Sequence, residues 1–396
     1  MPDRVGLLCV TPIPGLPEVQ AGADLAELLA TGLDDAGLAV RDGDVLVVSA
    51  KLVSKALDLR VPAAGKVGAV LAASTRVVAE RATPSGVTRV VEAKAGPVLV
   101  AAGIDASNTG RPTAAEEGAS ATHPEDTVLL LPLEPDACAA ELRASLKAVL
   151  TVDGSSAPTR LGLVLSDTAG RPWRHGQTDF ALGSAGLLAL DDLRGTRDAD
   201  GRDLHVTSVA VADEIASAAD LVRPKAAGIG AALIRGLPDH LVPADAAPSA
   251  DGRTRAGGLV RTGPTDWFSL GRVEAVRSAL GVPPGTADAI DVGIPSVGPE
   301  DIETRLDRAC RLALRESPVG DVPLGHPRAR MAAHPVRFDD VTYDVTQWGV
   351  ALSGPDELSL GVAAARLLVA LESEDLHGRI ARHTPGTHSR VDIVLL

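Results

Sequence analysis

Apolar and polar positions along the chain follow two rhythms. Between residues 24 and 37, "DLAELLATGLDDAG" places its apolar side chains at helical spacing. The next stretch, "GDVLVVSAKLVSKALDLRV", opens with an unbroken apolar run, which predicts a buried strand entering a second segment. "VVAERATPSGVTRVVEA" reads as a helix and a strand joined by a turn at Pro84, Ser85 and Gly86. "PVLVAAGIDASNTG" is an apolar run that ends in turn-prone residues, and "RPTAAEEGASATHPED" reads as a mobile surface loop.

Further on, "DTVLLLPLEPDA" and "RLGLVLSDTAG" are apolar runs separated by the helical pattern "AAELRASLKAVL". "HVTSVAVADEIASAADLV" passes from alternation into a helix, and "GIGAALIRGL" supplies a last strand. The predicted class is α/β in the mixed α+β sense, with much of the sheet buried on both faces. Residues 1–240 form the first domain, the Pro-, Ala-, Asp- and Gly-rich 241–265 a linker, and 266–396 a smaller α/β domain. In that last part "GPEDIETRLDRACRLALRES" and "GPDELSLGVAAARLLVALESEDL" are helices with acidic first turns, and His377, His383 and His388 fall in a solvated tail.

Composition narrows the function. The 396 residues are 45% hydrophobic but only 2% aromatic, so the core is aliphatic. A net charge of -14 repels nucleic-acid backbones and anionic membranes, and neither is expected as a partner. Three scattered cysteines suggest no disulfide framework and no thiolate zinc site. No run reaches membrane-spanning length, and the proline-broken N-terminus does not read as a signal peptide, which points to the cytoplasm.

Candidate chemistry sits where apolar runs meet acids. Asp105 in "VAAGIDASN" and Asp167 in "LVLSDT" follow such runs, and two carboxylates with the Thr168 hydroxyl are hard oxygen donors of the kind Mg²⁺ or Mn²⁺ prefers. Each aspartate also reads as a simple turn cap. "RPWRHGQTD" brings Arg171, Arg174 and His175 into a glycine-containing loop, where arginine forks suit phosphate or carboxylate and where solvated arginines are also ordinary. Asp213 and Glu214 read equally as a surface pair or a second acidic site. Lys51 and Lys55, four apart, share a face if helical. "GKVG", "GIGAAL" and "GSAG" fall short of a Walker loop, a dinucleotide fingerprint and a nucleophile elbow respectively.

The blocks "PGLPEV", "DGDVLVVSAKLVSK", "AAGIDASN", "LPLEPDA", "LSDTAGRPWRHGQTDFALGSAG", "GRDLHVTSVAVADEIASAADLV" and "GIGAALIRGL", in this order, resemble the coenzyme F420-0:L-glutamate ligase family, the gamma-glutamyl ligases. The resemblance implies an unusual mixed α/β fold that is neither Rossmann-like nor a P-loop fold. It implies a homodimer that uses GTP to phosphorylate the lactyl carboxylate of F420-0, after which L-glutamate attacks the acyl phosphate. By the same resemblance Asp105, Asp167 and Thr168 would hold Mg²⁺ or Mn²⁺. Gly15, Leu16, Pro17, Lys55, Asn108, Lys225 and Gly228 would contact the nucleotide. Arg171, Arg174 and His175, beside the catalytic Asp105 and Asp167, are read as substrate anion contacts.

The chain departs from the family pattern in three places. "ALDLR" puts Leu57 where a glutamate is usual, and Lys225 stands where some members carry an acid for a second metal. Beyond "DWFSLGRVEAVRSAL", which resembles the join to the nitroreductase-like domain of two-domain actinobacterial members, the tail is short for that fold. A degenerate relative is one reading of it, and no flavin is expected. Two rival functions remain: a related amide ligase for another carboxylate, and a non-catalytic homologue that binds F420 or nucleotide.

Overall fold

The computed structural model of the chain describes residues 7–83, 86–106, 127–151, 158–244, 251–263, 266–295, 300–315 and 338–396. It divides into two compact units, Met1–Thr75 with Val90–Thr265, and Arg76–Arg89 with Asp266–Leu396. In chain order the first elements are β1 (Cys9–Ile13), α1 (Leu25–Asp35), β2 (Asp44–Ser49), α2 (Ala50–Ala56), β3 (Arg60–Pro62), α3 (Lys66–Ala72), β4 (Ser74–Thr83), β5 (Gly86–Ala93) and β6 (Val98–Val100). They are followed by β7 (Thr127–Leu129), α4 (Pro135–Val149), β8 (Leu161–Arg171), β9 (Arg174–Ala185), β10 (Asp191–Asp192), β11 (Ser208–Val209), α5 (Val211–Asp220) and β12 (Ala231–Arg235). The mixed α/β class read from the sequence is the class observed.

The first unit is built on a five-stranded sheet in the order β1-β12-β2-β8-β9. β2 and β8 run parallel, and the other neighbours are antiparallel. Alternation along the buried strands divides their side chains between two cores. Leu46 and Val48 of β2 with Leu163 and Leu165 of β8 pack with α1 and α4, while Val45, Val47 and Val164 pack with α5. Each strand is therefore apolar on both faces, which is why the sequence shows unbroken runs instead of alternation. Asp24 caps α1, accepting from the N–H of Ala26 at 2.9 Å and of Glu27 at 3.2 Å.

"LSDTAG" and the glycine loop differ from expectation. The chain does not turn at Asp167 but continues as β8 to Arg171, reverses at Pro172 and Trp173, and returns as β9. In this hairpin Asp167 pairs with Phe180 and Thr168 with Asp179. Antiparallel pairing accounts for the extension, since β9 satisfies the backbone of residues that would otherwise need a turn. "GSAG" has a packing explanation too. A Cβ at Gly183 would lie 2.3 Å from the carbonyl oxygen of Pro135, so glycine lets β9 approach the start of α4.

The helix expected in "VVAERATPSGVTRVVEA" is also a strand. Thr75, Val77 and Val78 are β-branched like the partner run in β5, and β4 with β5 forms a hairpin arm in which Arg89 Nε donates to Glu80 at 2.5 Å. The segment Arg76–Arg89 belongs to the second unit. There Arg76 donates to both oxygens of Glu274, at 2.7 and 2.6 Å, and to the carbonyl of Ser269.

The rest of the second unit comprises α6 (Arg272–Ala279), α7 (Ala287–Val292), α8 (Ile302–Ala313), β13 (Thr342–Thr346), β14 (Gly349–Gly354), α9 (Glu357–Ser373), β15 (Gly378–Thr384) and β16 (Ser389–Leu395). Its antiparallel sheet has the order β13-β14-β16-β15. Leu306, Cys310 and Leu312 of α8 pack with Leu360, Leu367 and Leu371 of α9 against Leu352 and Ile393. Arg308 is buried between Glu300 and Glu374, donating to both at 2.7 and 2.6 Å. His377, His383 and His388 do not form a tail: the first two lie next to or on β15 and the third directly before β16, within a paired hairpin.

Candidate functional site

The hairpin places Asp167 and Thr168 at adjacent positions of β8, so their side chains leave opposite faces. Asp167 is half-buried. Burial first, and then the negative charges of Asp105 and Asp179, push its carboxyl up to about 7, against the opposing pull of the Thr168 N–H and the charge of Lys51. Asp105 reaches this neighbourhood from the segment after β6, fixed by a paired bridge with Leu129. Lys51 Nζ, on the first turn of α2, lies 2.6 Å from Asp105 Oδ2.

On the other face the Thr168 hydroxyl donates to Asp179 Oδ1 at 2.6 Å and accepts from Lys225 Nζ at 3.0 Å. Asp179 is itself held. Arg223 donates to Asp179 Oδ2 at 2.6 Å and to Ser166 Oγ at 2.9 Å, and Ser217 Oγ donates to the Asp179 carbonyl at 2.8 Å. Lys225 opens a 3₁₀ turn, Lys225–Ala227, which Gly228 ends in the left-handed region at φ 65°. There glycine avoids the steric cost a side chain would meet.

The structure thus places Asp105 and Lys51 near Asp167, and Lys225 on Thr168 on the other face of β8. It separates the two lysines of α2: Lys51 faces Asp105, whereas Lys55 is buried and donates to Glu18 Oε1 at 2.5 Å. That contact ties Lys55 to the segment just after Gly15, Leu16 and Pro17, where Gly15 has φ 78° and Leu16 packs on the α1 core. Arg171 and Arg174 are opposed at the tip of the hairpin, and with His175 they are exposed. Asn108 lies outside the described residues. Asp213 turns inward and accepts from the N–H of Ala181 at 2.9 Å, while Glu214 is exposed. Sequence reasoning noted Asp179 in the glycine-containing loop without giving it a role, and passed over Arg223.

A cavity of about 560 Å³ opens beside Asp179, walled by Val98, Leu99 and Phe180 with Arg171, Asp213 and Glu214 among its lining. Among the described residues no three His, Cys, Asp or Glu side chains form a ready metal cage. The donors present still suit a hard divalent cation. Two carboxylates that repel each other in a partly buried setting gain from a shared cation, and Mg²⁺ commonly takes one or two protein carboxylates and completes its sphere with phosphate oxygens and water. No helix among the described residues is long and apolar enough to cross a membrane.

Residues 15–236 match the family model described as F420-0:Gamma-glutamyl ligase. The chain is 36% identical over 230 residues to the coenzyme F420:L-glutamate ligase of Halorubrum lacusprofundi, covering 53% of this chain and 79% of that protein. The protein of the same name from Halobacterium salinarum is 39% identical over 230 residues, with the same coverage of 53% and 79%. That from Archaeoglobus fulgidus is 37% identical over 248 residues, covering 58% of this chain and 87% of its own length.

Proposed function

The chain belongs to the F420-0:gamma-glutamyl ligase family, and on that premise we propose that it joins L-glutamate to the lactyl carboxylate of coenzyme F420-0, with GTP as phosphoryl donor. The supporting observation is the meeting of Asp105 with Asp167 and Lys51 inside the matched region, with Lys225 held on Thr168 at the next position of β8. A carboxylate resists attack by an amine until one oxygen becomes a leaving group. Transfer of the terminal phosphoryl group of GTP to that oxygen gives an acyl phosphate and releases GDP; the glutamate nitrogen then attacks its carbonyl carbon, the C–O bond to phosphate breaks, the nitrogen loses a proton, and the amide and inorganic phosphate are formed.

Phosphoryl transfer depends on positioning and charge neutralisation, so the site needs cations and acids and no nucleophilic side chain. Asp105 and Asp167 would hold Mg²⁺ or Mn²⁺, with Thr168 assisting from the next position of β8, and the cation when bound neutralises phosphate charge. Lys51 and Lys225 would supply further positive charge to the phosphates. Gly15, Leu16, Pro17, Lys55, Asn108 and Gly228 belong to the nucleotide side, and Arg171, Arg174 and His175 to recognition of substrate anions. Later cycles would add glutamates through the gamma-carboxylate. The active form in this reading is a cytoplasmic homodimer, which light scattering of the purified protein checks.

The direct test incubates the protein with F420-0, L-glutamate, GTP and Mg²⁺ or Mn²⁺ and weighs the deazaflavin product by mass spectrometry. A gain of one or more glutamyl units that requires both GTP and the cation supports the reading. No gain, with nucleotide binding intact, redirects it to another carboxylate, and the segment around Leu57, exposed at the end of α2, is then the place to look.

A further inference from the structure

The hairpin of β8 and β9 reverses through Pro172 and Trp173. Proline suits the first of two turn positions, and a positive φ at the second calls for glycine or asparagine. Trp173 stands there instead, at φ 63°, in the left-handed region where a bulky side chain meets a steric cost. It is also 88% exposed, so burial does little to offset that cost. The choice is sharper in a chain that is only 2% aromatic: Trp173 and Phe180 are the two aromatic residues of positions 1–265, and both lie on this hairpin. A strained, exposed ring of this kind is kept where it serves a site.

We infer that Trp173 is a stacking platform for a flat aromatic ring that carries an anion and, resting on the ligase reading above, that this ring is the deazaflavin of F420-0. Arg171 and Arg174, opposed on the two strands that flank the turn, offer guanidinium forks for a phosphate attached to the ring. Arg171 also lines the cavity of about 560 Å³, which extends to Phe180, the cross-strand partner of Asp167. From Arg171 back to Asp167 is four positions of extended strand, about 14 Å. F420-0 has a ribityl chain and a phosphodiester between its ring and its lactyl carboxylate, so a ring held at the tip leaves the carboxylate free to reach toward Asp167. Guanine is also a flat ring with phosphates, but the nucleotide is read to lie at Gly15, Leu16 and Pro17, where Leu16 packs with the α1 core.

The test titrates F420-0, followed by its own fluorescence, into the full chain with Mg²⁺ and a non-hydrolysable GTP analogue present. Thermal melting, light scattering and the KM of each substrate are measured alongside. Trp173→Gly is expected to melt near the wild type, because glycine adopts φ 63° readily, and to bind F420-0 about 5- to 150-fold more weakly, the scale of one lost aromatic stack. The KM for F420-0 should rise in step while those for GTP and L-glutamate hold, and Trp173→Phe should recover most of the loss. Wild-type F420-0 affinity in a folded Trp173→Gly overturns the inference and leaves the ligase reading standing; if that variant also changes oligomeric state, the ring belongs to an interface between copies. A loss confined to GTP overturns it in favour of guanine. No F420-0 binding by the wild-type protein removes the ligase reading itself, and this inference with it.

Discussion

Lys51 Nζ lies 2.6 Å from Asp105 Oδ2, so the first turn of α2 supplies the counter-charge to an acid that comes from the far side of β6. Lys51→Ala is expected to lower kcat about 10²-fold, the scale for losing one preorganised charge-stabilising donor. Mn²⁺ binding should hold or tighten, because a competing cation has gone. Steady-state kinetics with a parallel Mn²⁺ titration checks both, and an unchanged kcat would remove Lys51 from the site.

Asp167→Asn keeps the shape of the side chain and removes its charge. Turnover is expected to fall by about 10³-fold or more, since phosphate charge would go unneutralised in the transition state. The variant should retain its fold and melt no lower than the wild type, because burial and the Asp105 and Asp179 charges already disfavour an ionised Asp167. Wild-type product yield from this variant contradicts the cation reading.

Burial holds the Asp213 carboxyl above its ordinary value, so the folded chain binds that proton more tightly than the unfolded chain does. As pH rises from about 4, the unfolded state ionises first, and this contribution to stability is lost until the folded carboxyl has ionised as well. Asp213→Asn removes the contribution and keeps an oxygen to accept from Ala181. Relative to wild type, its melting temperature should therefore improve as pH rises above about 4 and level off once the folded carboxyl has ionised. A constant difference across that range would refute the assignment.

In the second unit Arg308 stands between Glu300 and Glu374, the latter almost wholly buried. Arg308→Met leaves Glu374 without its partner and is expected to cost about 3–5 kcal/mol in chemical denaturation. Adding Glu374→Leu should recover most of that loss.

The three cysteines should separate cleanly in a thiol-labelling time course. Cys9 is exposed and reacts first. Cys310 is buried in the core of α8 and α9 and its thiol is pushed up to about 12, so it should label only on unfolding. Mass spectrometry of the modified peptides reads this directly.

The buried strands and long helices were legible because their periodicity is local: β2, β8, α1, α4 and α9 stand where the apolar pattern puts them. β4 was not, because "STRVVAERAT" carries charges compatible with a helix and its strand state depends on pairing with β5. At the site, Asp105, Asp167 and Thr168 could be picked out by the runs that precede them. Asp179 could be noted only as one polar residue of the glycine-containing loop, since its proximity to Thr168 depends on a register shift between Gly170 and Arg171 that no residue pattern announces. Arg223 in "DLVRPK" looks like any helix-end arginine, and only folding reveals that it is buried against an acid 44 positions earlier.

The pairing of Arg76 with Glu274 also concerns time. The two are 198 positions apart, and at about 5–20 residues per second a ribosome takes roughly 10–40 s to make the second after the first. During that interval the arm formed by β4 and β5 has emerged with β6 beside it, while Glu274 does not yet exist. Charged residues on unpaired strands discourage pairing with other chains, so Arg76, Glu80, Arg81 and Arg89 are expected to protect the arm while the chain is still growing.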